Sequence, residues 1–491
     1  MSPTRRQILK WGLGAGALAG AGLAGRRLLP PQPSGSSEPA RELAARLYDM
    51  LGAEEREAVC FGYDHPLRQY HNRGVDTGGG WAFFLGHDAR QTLVDLVYAG
   101  LSEKGSARVP EQWYSQILGI HLTRLAIFGD PNAGAYQVLV TGAHLNLRLG
   151  GRSREGVAFG GPQVYGDQAG DQEVGLPGNV YREQLARGQR FFASLSPGER
   201  RAARRPKAPV QTDIGLQGAA GRFDGVAVAN LGARSRQLAR DAVDEILATY
   251  AEEDAAYAWQ CLAQNGGIEA LHAADYAQDH QGGRDVGQGP SQIYRFEGPA
   301  AVFYFRGEPH LHAFLNVGMD GERPLSVGEV LAENPVALDR LGVRRLFEEV
   351  LRAESGAELA YYPEESVAGR LRAGTIRTGD IYSLESWRDR VVTLEIRGQD
   401  MADPLRAQFA ARGDRVEAGS LYRVATSEYA AGELAESTLG RVASKDNGRP
   451  LRDASIDWIR SHGLASAGSQ VRSRTGRDEN PVLVEPGQFS G

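Results

Sequence analysis

Two of the chain's ten histidines sit one residue apart in "GEPHLHAFLNVG", the stretch from Gly307 to Gly318. On an extended strand a two-residue step turns both side chains to one face, about 7 Å apart at the backbone. His310 and His312 could therefore grip one ligand together. A third imidazole, His144 in "AYQVLVTGAHLNLRL", lies in another alternating stretch bounded by glycine, on a strand or beside its turn. Neutral imidazole is the commonest metal ligand among side chains, and three of them on adjacent strands could hold one Zn or Cu ion with an open position for water. His144, His310 and His312 are thus the candidate metal ligands, and metal-assisted hydrolysis is the chemistry they would serve. His121 in "ILGIHLTRL" and His71 in "RQYHNRG" are candidate fourth ligands. Asp130 in "FGDP" could support a ligand, although Asp and Pro also have backbone reasons to sit in a turn. Against a metal site stands the plain alternative of hydrogen-bonded structural histidines, because His-x-His recurs by chance and no compact motif such as His-Glu-x-x-His is present.

Other chemistries lack their residues. There is no Gly-x-Ser-x-Gly turn, no Gly-Lys-Ser or Gly-Lys-Thr phosphate loop and no cysteine in an activating neighbourhood. "GAGALA" matches a dinucleotide fingerprint, but no strand precedes it, and no nucleotide cofactor is expected. Cys60 and Cys261 are the only cysteines; they could pair in an oxidising compartment or remain buried thiols. With 61 acidic against 55 basic residues the net charge is -6, the opposite of a nucleic-acid footprint. The partner expected is an unidentified small molecule, with oligomeric state left open.

The elements that must position the histidines follow from pattern. "TRRQILKWGLGAGALAGAGLAG" carries paired arginines and then a Gly-rich apolar run of about 15 residues, shorter than a bilayer span. Residues 1–25 resemble a twin-arginine export signal at Arg5, Arg6, Ile8, Leu9 and Lys10, which implies a periplasmic or extracellular protein with no stable membrane span. Residues 26–40 read as a disordered Pro- and Ser-rich spacer. Helices are predicted over "ARELAARLYDMLGAEEREAV", "DARQTLVDLVYAGLSEKG", "YREQLARGQRFFASLSPGERRAARR" with a break at Pro197, and "ARSRQLARDAVDEILATYAEEDAAYAWQCL", the last as the longest of the chain. The basic run "RRAARRPK" reads as a solvated helix end. "IYRFEGPAAVFYFRGEPHLHAFLNV" reads as strands around a turn at "RGEP". No internal repeat is visible. After a boundary near 334–340 come a helix, "VRRLFEEVLRAES", a strand, "AELAYYP", and an extended tail from 466 to 491.

Two resemblances sharpen this picture. "RQTLVDLVYAGLSEKG", "IFGDP", "GAHLNLRL", "GQGPSQIYRFEGPAAVFYF" and "HLHAF" occur in the order found in a bacterial family catalogued as domain of unknown function 3500, which residues 41–333 resemble. That family has His-His-x-Ser where this chain has Ala143 and His144, and Asn-His-Ile-His where it has Pro309 to His312. An acidic residue of the preceding strand is replaced here by Tyr304 or a neighbour. The resemblance implies a fold and an exported setting but no activity. "AGTIRTGDIYSLESWRDRVVTLEIRGQDM", "YRVATSEYAAGE" and "RPLRDASIDWIRSHG" resemble the carboxy-terminal domain of the 5'-nucleotidase family, over 340–465. Trp387 takes the place of one of two rings that hold the base there, which makes it the candidate ligand-binding residue. The family's Asn-x-Gly-Gly-Ile-Arg segment is here "PEESVA", Pro363 to Ala368, and its Gly-Gly-Asp-Gly-aromatic loop is "GELAES", Gly432 to Ser437. The Asp-x-His and Gly-Asn-His motifs of the two-metal phosphoesterases are missing upstream, so a working 5'-nucleotidase is not expected.

Taken together, the sequence predicts an exported α+β protein of two domains, with mixed helices and sheets and no transmembrane bundle. Its expected function is either that of a metal-dependent hydrolase built on the His cluster or that of a non-catalytic envelope binding or scaffold protein.

Overall fold

The computed structural model describes residues 34, 39–70, 80–82, 85–115, 123–142, 144–150, 156–167, 180–279, 291–307, 311–385, 388–437 and 443–464. The fold is α+β. One sheet of twelve strands dominates, formed by β1 (Cys60–Phe61), β2 (Gly80–Trp81), β3 (Arg124–Gly129), β4 (Tyr136–Gly142), β5 (Leu145–Leu149), β6 (Gln163–Asp167), β7 (Arg204–Lys207), β8 (Val226–Ala227), β9 (His272–Gln278), β10 (Ile293–Gly298), β11 (Ala301–Arg306) and β12 (Leu311–Val317). Their order is β1-β3-β4-β5-β6-β12-β11-β10-β9-β7, with β2 beside β3 and β8 beside β9. Only the outer pairs β1–β3 and β7–β9 are parallel.

This order is the same motif laid down twice. Two helices, Ala40–Met50 and Ala53–Val59, lead into β1 and β2; two more, His87–Ala99 and Glu103–Ser115, lead into the meander β3 to β6. The helices Arg182–Ala193 and Pro197–Ala203 then lead into β7 and β8, and Ala233–Leu247 and Glu252–Gln264 into the meander β9 to β12. The copies meet where β6 pairs antiparallel with β12. They meet again between the helix pairs, where the Ala251 amide donates to the Gly100 carbonyl at 3.2 Å and the Ser102 amide to the Thr249 carbonyl at 3.3 Å. That reciprocal contact explains why the expected longest helix is two helices: residues 248–251 leave the helix to bond the matching turn of the other copy. The longest helix among the described residues is instead Arg340–Ser355. Likewise the predicted helix over 40–59 is broken after Met50, and the next helix starts where the Gly52 amide donates to Glu55 Oε2 at 2.8 Å. The one predicted from Asp88 stops at Ala99 and a new helix begins at Glu103. The run at 200–207 ends its helix at Ala203 and continues as β7, not as a helix end alone.

Both sheet faces are covered, so β4, β5, β11 and β12 are buried along their whole length. On β12 the alternation sends Leu311, Ala313, Leu315 and Val317 into the helix-side core, with Phe303 and Phe305 of β11. His312, Phe314 and Asn316 face the other side, where Phe314 packs with Val164, Val302 and Tyr304. That second face is polar in places and lies under the segments 62–70 and 208–216.

The remaining chain forms β13 (Val330–Asn334), β14 (Leu359–Ala360), β15 (Gly374–Arg377), β16 (Arg390–Arg397), β17 (Leu421–Ser427) and β18 (Ala443–Pro450). β13 pairs with β15, and β14-β17-β16-β18 make a four-stranded sheet. Helix Arg340–Ser355 packs Val343, Leu346, Phe347, Val350 and Leu351 into their core, capped by Asp339 at one end and by Gly356, at φ +65°, at the other. The helix Thr378–Leu384 joins this half to the first by packing on the short turn Pro66–Gln69. Asp380 is the knot: its carboxylate accepts from Gln69 Nε2 at 3.0 Å, Ser326 Oγ at 3.1 Å and the Arg377 amide at 2.8 Å. Among the described residues no helix is long and apolar enough to cross a membrane.

Candidate functional site

Two of the three candidate ligands meet. His144 lies at the β4–β5 turn, where its φ of +59° is one that few non-glycine residues adopt. That backbone turns its ring onto the polar sheet face. His312 reaches the same place from the middle of the sheet, paired with Gly166 of β6 on one side and Arg306 of β11 on the other. The rings stack with centroids 4.8 Å apart and planes 28° apart. Gly166 makes this possible: a β-carbon there would lie 3.0 Å from His312 Cδ2, 3.3 Å from His144 Cβ and 2.4 Å from the Leu311 carbonyl oxygen.

The surroundings are buried and hydrogen-bonded. His144 is 6% exposed and His312 0%. His312 Nδ1 meets Gln211 Oε1 at 2.8 Å; with the amide oxygen accepting, Nδ1 carries the proton and Nε2 the lone pair. Arg306, the cross-strand neighbour of His312, forms a buried ion pair with Asp279 at 2.8 Å. Further along β5, away from the ring pair, Arg148 donates to the Pro162 carbonyl at 2.9 Å, the Arg68 carbonyl at 2.5 Å and Gln137 Oε1 at 3.0 Å. Burial, with Arg68 beside it, pushes the Arg148 guanidinium down to about 9.

The other candidates fall elsewhere. His310, His121, His71 and Trp387 lie outside the described residues. Asp130 stands at the far end of the β3–β4 hairpin from His144, roughly 20 Å away along the strand, and its Oδ1 accepts from the Asn132 amide at 2.8 Å, as a turn aspartate does. Among the described residues no group of three His, Cys, Asp or Glu side chains is placed to hold a metal ion. Cys60 and Cys261 are free thiols, and burial pushes each up to about 11. Sequence reasoning missed Gln211 and Gly166; neither carries a motif, and each matters only through the strand or segment opposite.

A sequence profile described as Protein of unknown function (DUF3500) matches residues 34–314, which takes in the first copy of the motif, the second as far as Phe314 in its last strand, and the paired histidines. The chain belongs to this family. Membership of DUF3500 fixes no activity. No curated protein matches the chain at a significant level. Solved structures that match include a 5'-nucleotidase precursor from Thermus thermophilus, 13% identical over 39% of this chain and 51% of that one, with a TM-score of 0.25. The NAD nucleotidase of Haemophilus influenzae is 11% identical, covering 40% and 55%, with a TM-score of 0.23. A putative 5'-nucleotidase from Staphylococcus aureus is 11% identical, covering 35% and 48%, with a TM-score of 0.21. The chain spans about half the length of these proteins, and likenesses this slight say nothing of its own activity.

Proposed function

We propose that the polar patch around His144 and His312 holds one Zn or Cu ion and that this DUF3500 protein is an exported, metal-dependent hydrolase. The observation that supports this best is the meeting of two imidazoles, with centroids 4.8 Å apart, from a turn and a strand remote in sequence. The residues fit such an ion in one respect: the hydrogen bond between Nδ1 and Gln211 orients the His312 ring, as an outer hydrogen bond does around a metal-binding histidine. In another they fit less well. Stacked rings aim their in-plane nitrogens along near-parallel lines, so one ring must turn for both to reach a shared point, and His310 must supply the third donor. An ion held there would supply Lewis-acid polarisation of a carbonyl or phosphoryl oxygen. The chain's own part is to hold the imidazoles: Gly166 gives them room, Gln211 orients His312, and the Arg306–Asp279 pair keeps a balanced charge beside it. Export rests on the twin-arginine pattern of residues 1–25.

The burial of both rings favours a second reading, a non-catalytic envelope binding or scaffold protein whose carboxy-terminal half is a degenerate 5'-nucleotidase-type domain with a ligand near Trp387. Metal content separates the two. Full-length protein recovered from the exported fraction is expected to carry about one equivalent of Zn or Cu by mass spectrometry, and His144→Ala and His312→Ala are expected to lose it while keeping the wild-type circular dichroism. Wild-type protein that takes up neither ion on reconstitution leaves only the binding reading.

A further inference from the structure

Away from the histidine pair, a cleft of about 700 Å³ opens between the two halves of the molecule. Its walls are the segment Asp213–Gln217 with Arg222, the end of β12 at Asn316, the start of helix Arg340–Ser355, residues 368–372, and Asp380, Ser383 and Leu384. Ile214, Leu325, Leu371 and Leu384 give it an apolar floor. Clefts between domains, apolar with a few convergent polar groups, are where small molecules bind.

The charges on these walls are unequally occupied. Asp380 is bonded to Gln69, Ser326 and Arg377, Asp339 caps its helix through the Gly342 amide at 2.8 Å, and Glu364 pairs with Arg344 at 3.1 Å. Arg372 lies 4.0 Å from Asp380. Three other guanidiniums have no carboxylate partner among the described residues. Arg370 donates to the neutral amide oxygen of Gln217, which also accepts from the Arg222 backbone amide. Arg340 donates to the Glu364 carbonyl at 2.9 Å, and its Nε is buried with no partner among the described residues. The Arg222 side chain is exposed at the rim of the cleft. Asp213 is, among the described residues, the one lining carboxylate left without a hydrogen bond, and it faces Gly369 across the cleft, where a β-carbon would stand 3.5 Å from its Oδ1.

We infer that this cleft binds an organic anion, a carboxylate or phosphate ester with an apolar body, whose charge is taken by Arg222, Arg340 and Arg370 and whose hydrogen-bond donor is taken by Asp213. Guanidinium forks suit both anions, and their charge-assisted bonds strengthen inside a partly dry cleft. The inference is independent of any metal at the histidines.

Calorimetric titration of the full chain, stripped with EDTA, tests it with benzoate, phenyl phosphate, inorganic phosphate and uncharged benzyl alcohol as probes. Saturable binding of benzoate or phenyl phosphate is expected, with little from benzyl alcohol, and the stronger of the two anions identifies carboxylate or phosphate as the group recognised. The double variant Arg222→Gln, Arg370→Gln, made on exposed positions that leave the core untouched, is expected to weaken that binding at least about tenfold. Failure of both anions to saturate, or equal binding by the double variant, overturns the inference. Tight binding of inorganic phosphate alone, with no gain from the phenyl group, overturns the apolar part of it.

Discussion

At the scale of single residues, the histidine pair depends on a side chain that is absent. Gly166 sits under both rings, and a methyl group there must displace backbone at Leu311 as well as the two imidazoles. Gly166→Ala is therefore expected to destabilise the protein by about 1–3 kcal/mol in urea unfolding, and to lower any metal content with it. A change of less than about 0.5 kcal/mol would mean that the rings are not held as described. The histidines themselves were legible in the sequence, because strand alternation assigns His312 a face and a glycine-bounded turn locates His144. Gly166 and Gln211 were not. A glycine in a strand signals close approach without naming the neighbour, and Gln211 lies in an irregular segment whose position is set by the sheet beneath it.

At the scale of elements, helices and strands were legible as types but not always as units. Period and composition gave the helical stretches and the strands at 293–317, yet the breaks at 100–102 and 248–251 come from backbone bonds between turns about 150 residues apart, which no local window contains. The duplicated order of elements was equally hidden: the sequence shows no repeat, while the two copies lay down helices, short edge strands and a four-stranded meander in the same succession. The small helix Thr378–Leu384 shows how one side chain can couple elements. Asp380→Ala removes acceptors from Gln69, Ser326 and the helix's own first turn at once, and is expected to cost about 2–4 kcal/mol. Faster limited proteolysis between the two halves is expected to accompany it; a variant as stable and as protease-resistant as wild type would show that Asp380 does not hold them.

At the scale of the whole molecule, the junction between the halves carries a pH dependence. His65 lies beside Phe61 and Phe128, with ring centroids 4.6 and 6.3 Å away, and its Nδ1 accepts from the Leu67 amide at 3.2 Å. Burial first, and then Arg452 of the other half, lower its pKa below the ordinary 6.5. The unfolded chain thus binds a proton at a pH where the folded chain does not, so this stability is present above about pH 6.5 and is lost as pH falls below it toward the depressed folded value. Melting temperature is expected to drop on acidification from about pH 7.5 to about pH 5.5. His65→Asn, which keeps an acceptor for the Leu67 amide, is expected to flatten that slope; an unchanged slope would assign it to other groups. The α+β class was readable from the sequence, but this contact between halves was not, since it joins residues near 65 to residues near 452.

The two thiols bear on how such a chain can be made. Cys60 and Cys261 remain uncoupled and largely un-ionised at neutral pH, with weak nucleophilicity and no bridge to complete. The tertiary structure accordingly makes no demand on a disulfide-forming oxidase or a disulfide isomerase, and its formation is expected to be indifferent to added thiol reductant.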